Sequence, residues 1–296
     1  MLYRSASDTD IETHWNFERV LWASQTNQVF DHACPGYFCI YSCPDFFRLD
    51  EDTWFFGSLD QEYWLGSYLN HSFTPNAFYQ KGPGMMLEST IWKTGARAGW
   101  WERSKVPGHK YRRLMWGGYA SMMSLPRELG VGPEGELTLR FVEELRALRE
   151  SARSTPESTV GQHLELIATF DSTCVASGAT GYGVRVLNTT SVSWNGTYLI
   201  ITGPHIANGV NGGHYSPLEL RHGESLSLHV YVDAGAVEVI ANNRTLVTAV
   251  VLPPSDACMH VGIVGCAASL RHYEAYVLKD LGPPRLHELE STEKAE

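Results

Sequence analysis

From about Gly161 to Lys279 the chain is built of short apolar runs: His163 to Phe170, Tyr182 to Leu187, Thr197 to Ile201, Leu226 to Val232, Ala236 to Ile240, Leu246 to Leu252 and His260 to Val264. Each is only a few residues long and is bounded by Gly, Pro, Asn or Asp, which is the length and punctuation of strands rather than helices. Asp233-Ala234-Gly235 and Ala241-Asn242-Asn243-Arg244 carry the residue types of hairpin turns. Consecutive short strands with no helix between them predict a β-sandwich or barrel.

Upstream the texture changes. Eight of the nine Trp lie at or before Trp116, and the region is strand-like but rich in Trp and Tyr, with runs such as Thr53 to Ser58 and Arg112 to Gly117. Between the two regions, Phe141, Leu145, Leu148 and Ala152 recur at helical spacing, with Glu143, Glu144, Arg146, Arg149 and Glu150 on the other faces. That period predicts a short amphipathic helix. The Ser- and Thr-rich stretch from Ser151 to Val160, with Pro156, ends it.

The balance of 23 basic against 33 acidic residues gives a net charge of −10, which disfavours nucleic acid as a partner. No apolar run approaches the roughly 20 residues of a membrane span, and the first residues lack the basic and apolar regions of a signal peptide. Against that plain picture stand four Asn-x-Ser/Thr sequons, at Asn70, Asn188, Asn195 and Asn243, among only ten Asn. They mark candidate N-glycosylation sites and a secretory history. The six Cys lack zinc-ribbon spacing and leave the redox compartment open.

Several signatures of chemistry fail on context. Gly130 to Gly135 fits G-x-G-x-x-G, but Pro133 lies inside it and a strand-like run follows, so a hairpin turn is expected in place of a pyrophosphate site. The twelve His show no H-E-x-x-H or comparable ligand spacing. No G-x-S-x-G elbow occurs. Neither a metal nor an organic cofactor is expected.

Three segments taken in order are more specific. They are Tyr41-Ser42-Cys43-Pro44-Asp45-Phe46-Phe47-Arg48-Leu49, Arg112-Arg113-Leu114-Met115-Trp116-Gly117-Gly118 and Ser124-Leu125-Pro126-Arg127-Glu128-Leu129. Together they resemble glycoside hydrolase family 32, the invertase and fructan-hydrolase family, with its Glu-Cys-Pro-Asp acid/base motif, Arg-Arg-x-x-Trp-Gly segment and Pro-Arg-x-Leu segment. Leu228 to Asp233 followed by Val237-Glu238-Val239-Ile240 is similar to the family's sandwich motif, and Val142 to Arg149 to its connector.

The resemblance implies an all-β chain: a partial five-bladed β-propeller with the later blades only (residues 1–136), a linker helix (137–158), a C-terminal β-sandwich (159–281) and a polar tail (282–296). It also implies a β-fructofuranosidase ancestry, with sucrose or a fructan as partner and an extracellular or vacuolar setting. Retaining hydrolysis requires two carboxyl groups about 5 Å apart. The family's Asn-Asp-Pro-Asn-Gly nucleophile segment and its Arg-Asp-Pro segment are both missing from the sequence, and Ser42 stands at the acid/base position. A serine hydroxyl is no substitute for a carboxylic acid of tunable pKa.

The expectation is therefore a catalytically incompetent chain, with a non-catalytic carbohydrate-binding or interaction protein built on the sandwich as the alternative. Cys43, Asp45 and Trp116 are the substrate-binding candidates that the resemblance implies. Read without it, Cys43 is a small buried hydrophobe, Asp45 (like nearby Asp60) a turn cap or surface charge, and Trp116 a blade-core side chain.

Overall fold

The structure, a computed structural model, describes residues 2–5, 15–19, 45–58, 62–80, 124–172, 181–204, 206–207, 213–233, 236–251 and 259–280. A short antiparallel pair, β1 (Leu2–Ser5) and β2 (Trp15–Arg19), stands first. A four-stranded antiparallel meander follows: β3 (Asp45–Arg48), β4 (Trp54–Ser58), β5 (Glu62–Leu69) and β6 (Ser72–Gln80), in that spatial order.

Aromatic alternation builds the meander. On one face Phe46 stacks on Trp54 at 4.9 Å and meets Phe73 and Tyr68 edge-on at 5.6 and 5.3 Å. On the other, Phe47, Phe55 and Tyr63 stack in sequence at 5.0 and 5.6 Å. Rings at these separations add to the area they bury. The Phe55 ring lies over Gly57, where a Cβ would come within 2.5 Å of it, so the row tolerates no side chain there. Asp50 closes the β3–β4 turn by accepting from the backbone N–H of Asp52 and Thr53 at 2.9 and 2.7 Å.

A hairpin, β7 (Arg127–Val131) and β8 (Leu137–Phe141), comes next. Its turn is the Gly130 to Gly135 segment: Gly132 N–H donates to the Glu136 carbonyl at 2.7 Å and Gly135 takes φ 80°. The hairpin expected from sequence is present.

The expected helix is reduced to a 3-10 turn over Glu143–Leu148, and the rest of 137–158 departs from the helical reading. Leu137–Phe141 is strand, and Arg149–Arg153 forms β9, which pairs with the last strand of the sandwich. The same residues also alternate in steps of two, and an available sheet edge supplies backbone partners that an isolated helix of two turns would not repay. Leu145 is buried as the helical pattern required.

The sandwich comprises β10 (His163–Phe170), β11 (Tyr182–Val186), β12 (Thr190–Trp194), β13 (Tyr198–Thr202), β14 (Ile206–Ala207), β15 (Gly213–Pro217), β16 (Leu226–Asp233), β17 (Ala236–Ala241), β18 (Thr245–Val251), β19 (Gly262–Val264) and β20 (Leu270–Leu278). One sheet runs β14-β18-β17-β16-β10-β20-β9 and the other β15-β13-β12-β11-β19, with antiparallel pairing throughout. The β17–β18 turn is the expected one, with Asn242 and Asn243 at φ 50° and 53°.

Inward residues at alternate positions, among them Leu164, Leu166, Phe170, Val184, Val192, Ile201, Leu228, Val230, Val239 and Val247, form one continuous core. Each such side chain contributes about 1.5–3 kcal/mol by leaving water. Trp194 joins that core and still donates its indole N–H to the Leu218 carbonyl at 2.7 Å.

The opposite face of the larger sheet is also covered. Tyr231, Ile240 and Leu246 point away from the sandwich core into a second cluster with Leu137, Leu139 and Phe141 of the hairpin and Phe55, Tyr63 and Leu65 of the meander. Every residue of β17 is buried for this reason, as expected of a strand enclosed on both sides.

Candidate functional site

Of the substrate-binding candidates, Asp45 begins β3 opposite Gly57, on the outer strand of the meander, with an exposed side chain. Ser42, Cys43, Asp60 and Trp116 lie outside the described residues, as does the Arg112 to Gly118 segment. The described chemistry lies elsewhere, between the larger sheet and the hairpin that covers it.

Cross-strand pairing sets out that layer. Glu165 on β10 lies between Tyr276 on β20 and Tyr231 on β16, and Tyr231 in turn pairs with Glu238 on β17, which pairs with Thr248 on β18. Odd spacing from the core residues Leu164 and Leu166 forces Glu165 to the outer face. There it is sealed, with no exposed surface.

A buried carboxylate needs partners for both oxygens, and Glu165 has them. Arg149, at the start of β9, donates from Nε and Nη2 at 2.6 and 2.7 Å, and His229 Nε2 donates at 2.8 Å. The guanidinium lies 3.8 Å over the Tyr276 ring, and Phe141 packs edge-on against His229 and Tyr231 at 5.0 and 4.7 Å. Burial pushes the Glu165 carboxyl upward, but the Arg149 and His229 hydrogen bonds outweigh it and hold the group at about 2. The same burial, with the Glu165 charge beside it, raises the Tyr231 phenol.

Glu238 is held differently. One carboxylate oxygen accepts from the Leu125 N–H at 2.8 Å; the other lies 3.8 Å from the Arg127 guanidinium without a hydrogen bond. Burial raises this carboxyl, with Arg127 and the Leu125 N–H opposing. A raised pKa is what a proton donor requires. Glu238 is nevertheless only 3% exposed beneath the hairpin, out of reach of a leaving-group oxygen.

These carboxylates therefore fasten the hairpin and β9 to the sheet; a fully occupied anion and a sealed acid cannot serve a substrate. The fastening continues at the rim. Arg244 donates to both Glu224 oxygens at 2.7 and 2.9 Å, keeping that carboxyl at about 2, and Leu139 N–H donates to the Asn243 carbonyl at 2.8 Å. Among the described residues no group of three or more His, Cys, Asp or Glu is arranged to hold a metal ion. No helix among them is long and apolar enough to cross a membrane.

The connection between this layer and the resemblance is Val237-Glu238-Val239-Ile240, whose Glu belongs to the buried row. Residues 142–276 match the family described as Glycosyl hydrolases family 32 C terminal. This segment is similar to the C-terminal domain of family 32.

Fold comparison extends beyond this segment. The chain is similar to sucrose-6-phosphate hydrolase from Lactobacillus gasseri (16% identity, TM-score 0.56), covering 80% of this chain and 54% of that one. It is similar to fructan 1-exohydrolase IIa from Cichorium intybus (14%, 0.53), covering 80% and 61%. A third similarity is to the fructofuranosidase from Schwanniomyces occidentalis complexed with fructose (13%, 0.52), covering 80% and 60%. At such identities the likeness is one of fold. The chain spans 54% to 61% of the length of these three structures. A search of curated protein sequences gives no match.

The layer of Glu165, Arg149, His229, Glu238 and Arg127 is absent from the sequence-derived candidates. A Glu at an otherwise apolar strand position, as in Leu164-Glu165-Leu166 and Val237-Glu238-Val239, was its available signal.

Proposed function

We propose that these 296 residues act as the non-catalytic supporting part of a β-fructofuranosidase-type glycosidase, and that by themselves they do not cleave fructosides. The observation that carries this reading is the use made of the buried carboxyls: Glu165 is clamped by Arg149 and His229, and Glu238 is sealed at the hairpin interface. The remaining requirement, a nucleophile paired with an acid, falls on Ser42, where the resemblance implies a Glu, and on two motifs that the sequence lacks.

The sheet β3-β4-β5-β6 is a four-stranded antiparallel meander, and four strands per blade is the propeller pattern, which supports reading it as one blade. Its Phe55, Tyr63 and Leu65 join the cluster on the sandwich's outer face, so the sandwich acts as a buttress for blade-like sheets. The fold neighbours act on sucrose-type and fructan-type substrates by their names, and a terminal β-fructoside is the corresponding substrate class for the complete machinery.

The test is fructose release by the purified chain from sucrose, inulin and levan, in the unaltered protein and in Ser42→Glu. Neither should release fructose, because restoring the acid leaves the nucleophile missing. Turnover in the unaltered chain, or its appearance in Ser42→Glu, would show a competent nucleophile in these residues and overturn the proposal.

A further inference from the structure

We infer that Asn70 and Asn195 carry N-linked glycans that lie over exposed apolar side chains. The four sequons all fall at strand connections, but the structure separates them. Asn70 and Asn195 are exposed, and so are the hydroxyl residues that complete their sequons, Ser72 and Thr197. Thr190 and Thr245, which complete the sequons of Asn188 and Asn243, are 0% and 5% exposed. Asn188 is half-buried, with its Oδ1 accepting from His260 N–H at 3.1 Å.

The local geometry suits attachment. Asn195 accepts from the backbone N–H of Thr197 and Tyr198 through Oδ1 at 3.1 and 2.9 Å. These bonds fix the side chain through oxygen, and glycosylation replaces only a hydrogen on Nδ2. Asn70 occupies the β5–β6 turn at φ 51°, followed by His71 at φ 59°, which displays both side chains at the tip.

What lies beside the two sites supplies a reason for covering them. Leu69, adjacent to Asn70, is 72% exposed, the most exposed large hydrophobic among the described residues. Tyr198, three positions after Asn195, is 36% exposed and packs edge-on against Tyr215 at 5.2 Å. A first sugar on either Asn presents C–H groups to these surfaces and hydroxyls to water, converting an apolar patch into a solvated one. Cys266 is disulfide-bonded, which fits the oxidising compartment where such transfer occurs.

The transfer is chemically complete with a lipid-linked oligosaccharide pyrophosphate as donor. The anomeric carbon forms a bond to Asn Nδ2 and breaks its bond to the pyrophosphate oxygen, and the amide proton leaves with the lipid pyrophosphate. Nothing is oxidised or reduced.

The full chain, produced behind a cleavable leader in a eukaryotic secretory host, is to be digested with peptide N-glycosidase in heavy-oxygen water and mapped by mass spectrometry. Labelled Asp is expected at positions 70 and 195, and is lost singly in Ser72→Ala and Thr197→Ala. Secreted chain unlabelled at either position overturns the assignment. The double variant, which keeps both Asn, should roughly double the binding of an apolar-surface dye. Equal dye binding by two forms with matching circular dichroism would overturn the covering role.

Discussion

The two faces of the seven-stranded sheet are both interiors, but of different kinds. Leu164, Leu166, Leu228, Val230 and Val239 fill the inner face, where shape and apolarity are enough. Across the same strands the outer face carries Glu165, His229, Tyr231 and Glu238 among its apolar residues and is closed by the hairpin and the four-stranded meander. The inner face is held by area removed from water, whereas the outer one depends on pairing of charge. A cavity relaxes in part, but a buried anion deprived of its partner does not.

The largest expected effect separates these two kinds of interior directly. Arg149→Ala leaves the Glu165 carboxylate with His229 as a remaining side-chain hydrogen-bond partner and should cost about 3–5 kcal/mol in urea unfolding. Replacing Glu165 and Arg149 together by Leu and Met should restore most of that loss, since apolar groups of similar volume replace a buried pair at little net cost. Leu166→Ala on the inner face should cost about 2–5 kcal/mol, and no second substitution nearby should recover it in this way. Equal destabilisation by Arg149→Ala and by the double replacement would erase the distinction.

Acid provides a gentler probe. The folded Glu165 carboxyl sits at about 2, below its ordinary 4.5. A lowered folded pKa contributes stability that is complete above the unfolded value and is lost as pH falls through the folded one. Unfolding midpoints should therefore decline from about pH 5 toward pH 2, and Glu165→Gln should flatten the part of that decline owed to this group. An unchanged pH profile in Glu165→Gln would place the acid sensitivity in other carboxylates, with Glu224, also at about 2 beside Arg244, the first to examine.

The same contrast explains how much the sequence discloses. Strands β10, β16, β17 and β18 are visible in it because their inner faces carry Leu, Val, Ala or Phe at every second position. β12 is hidden because Thr190, Ser191 and Ser193 dilute its signal, leaving Val192 and Trp194 as the apolar marks. β20 is hidden because Arg271 and His272 are exposed and Glu274 is half-buried, so charged and polar side chains interrupt its apolar pattern. At β9 one set of residues satisfies two periods, and only pairing with β20 decides between them.

The polar layer was less legible still. Arg149 and His229 lie 16 and 64 positions from Glu165, and nothing local joins them. Sequence motifs led instead to Ser42, Cys43, Asp45 and Trp116, of which the structure describes only Asp45, on an exposed strand.

The smallest expected effect lies at the rim of the outer interface, where pairing resembles that of the buried layer but the solvent differs. Arg221 reaches Glu134 and Glu136 at the tip of the β7–β8 hairpin at 2.7 and 3.0 Å, and its side chain remains 47% exposed. Water screens such a pair and ordering the long side chain opposes it, so Arg221→Ala should change stability by no more than about 1 kcal/mol. The change should shrink further in added salt, since exposed charges are screened far more than buried ones. Urea unfolding at low and high ionic strength measures both. A loss as large as that of Arg149→Ala, or one indifferent to salt, would mean that the hairpin tip behaves as part of the buried layer and that the boundary between interior and rim lies beyond Arg221.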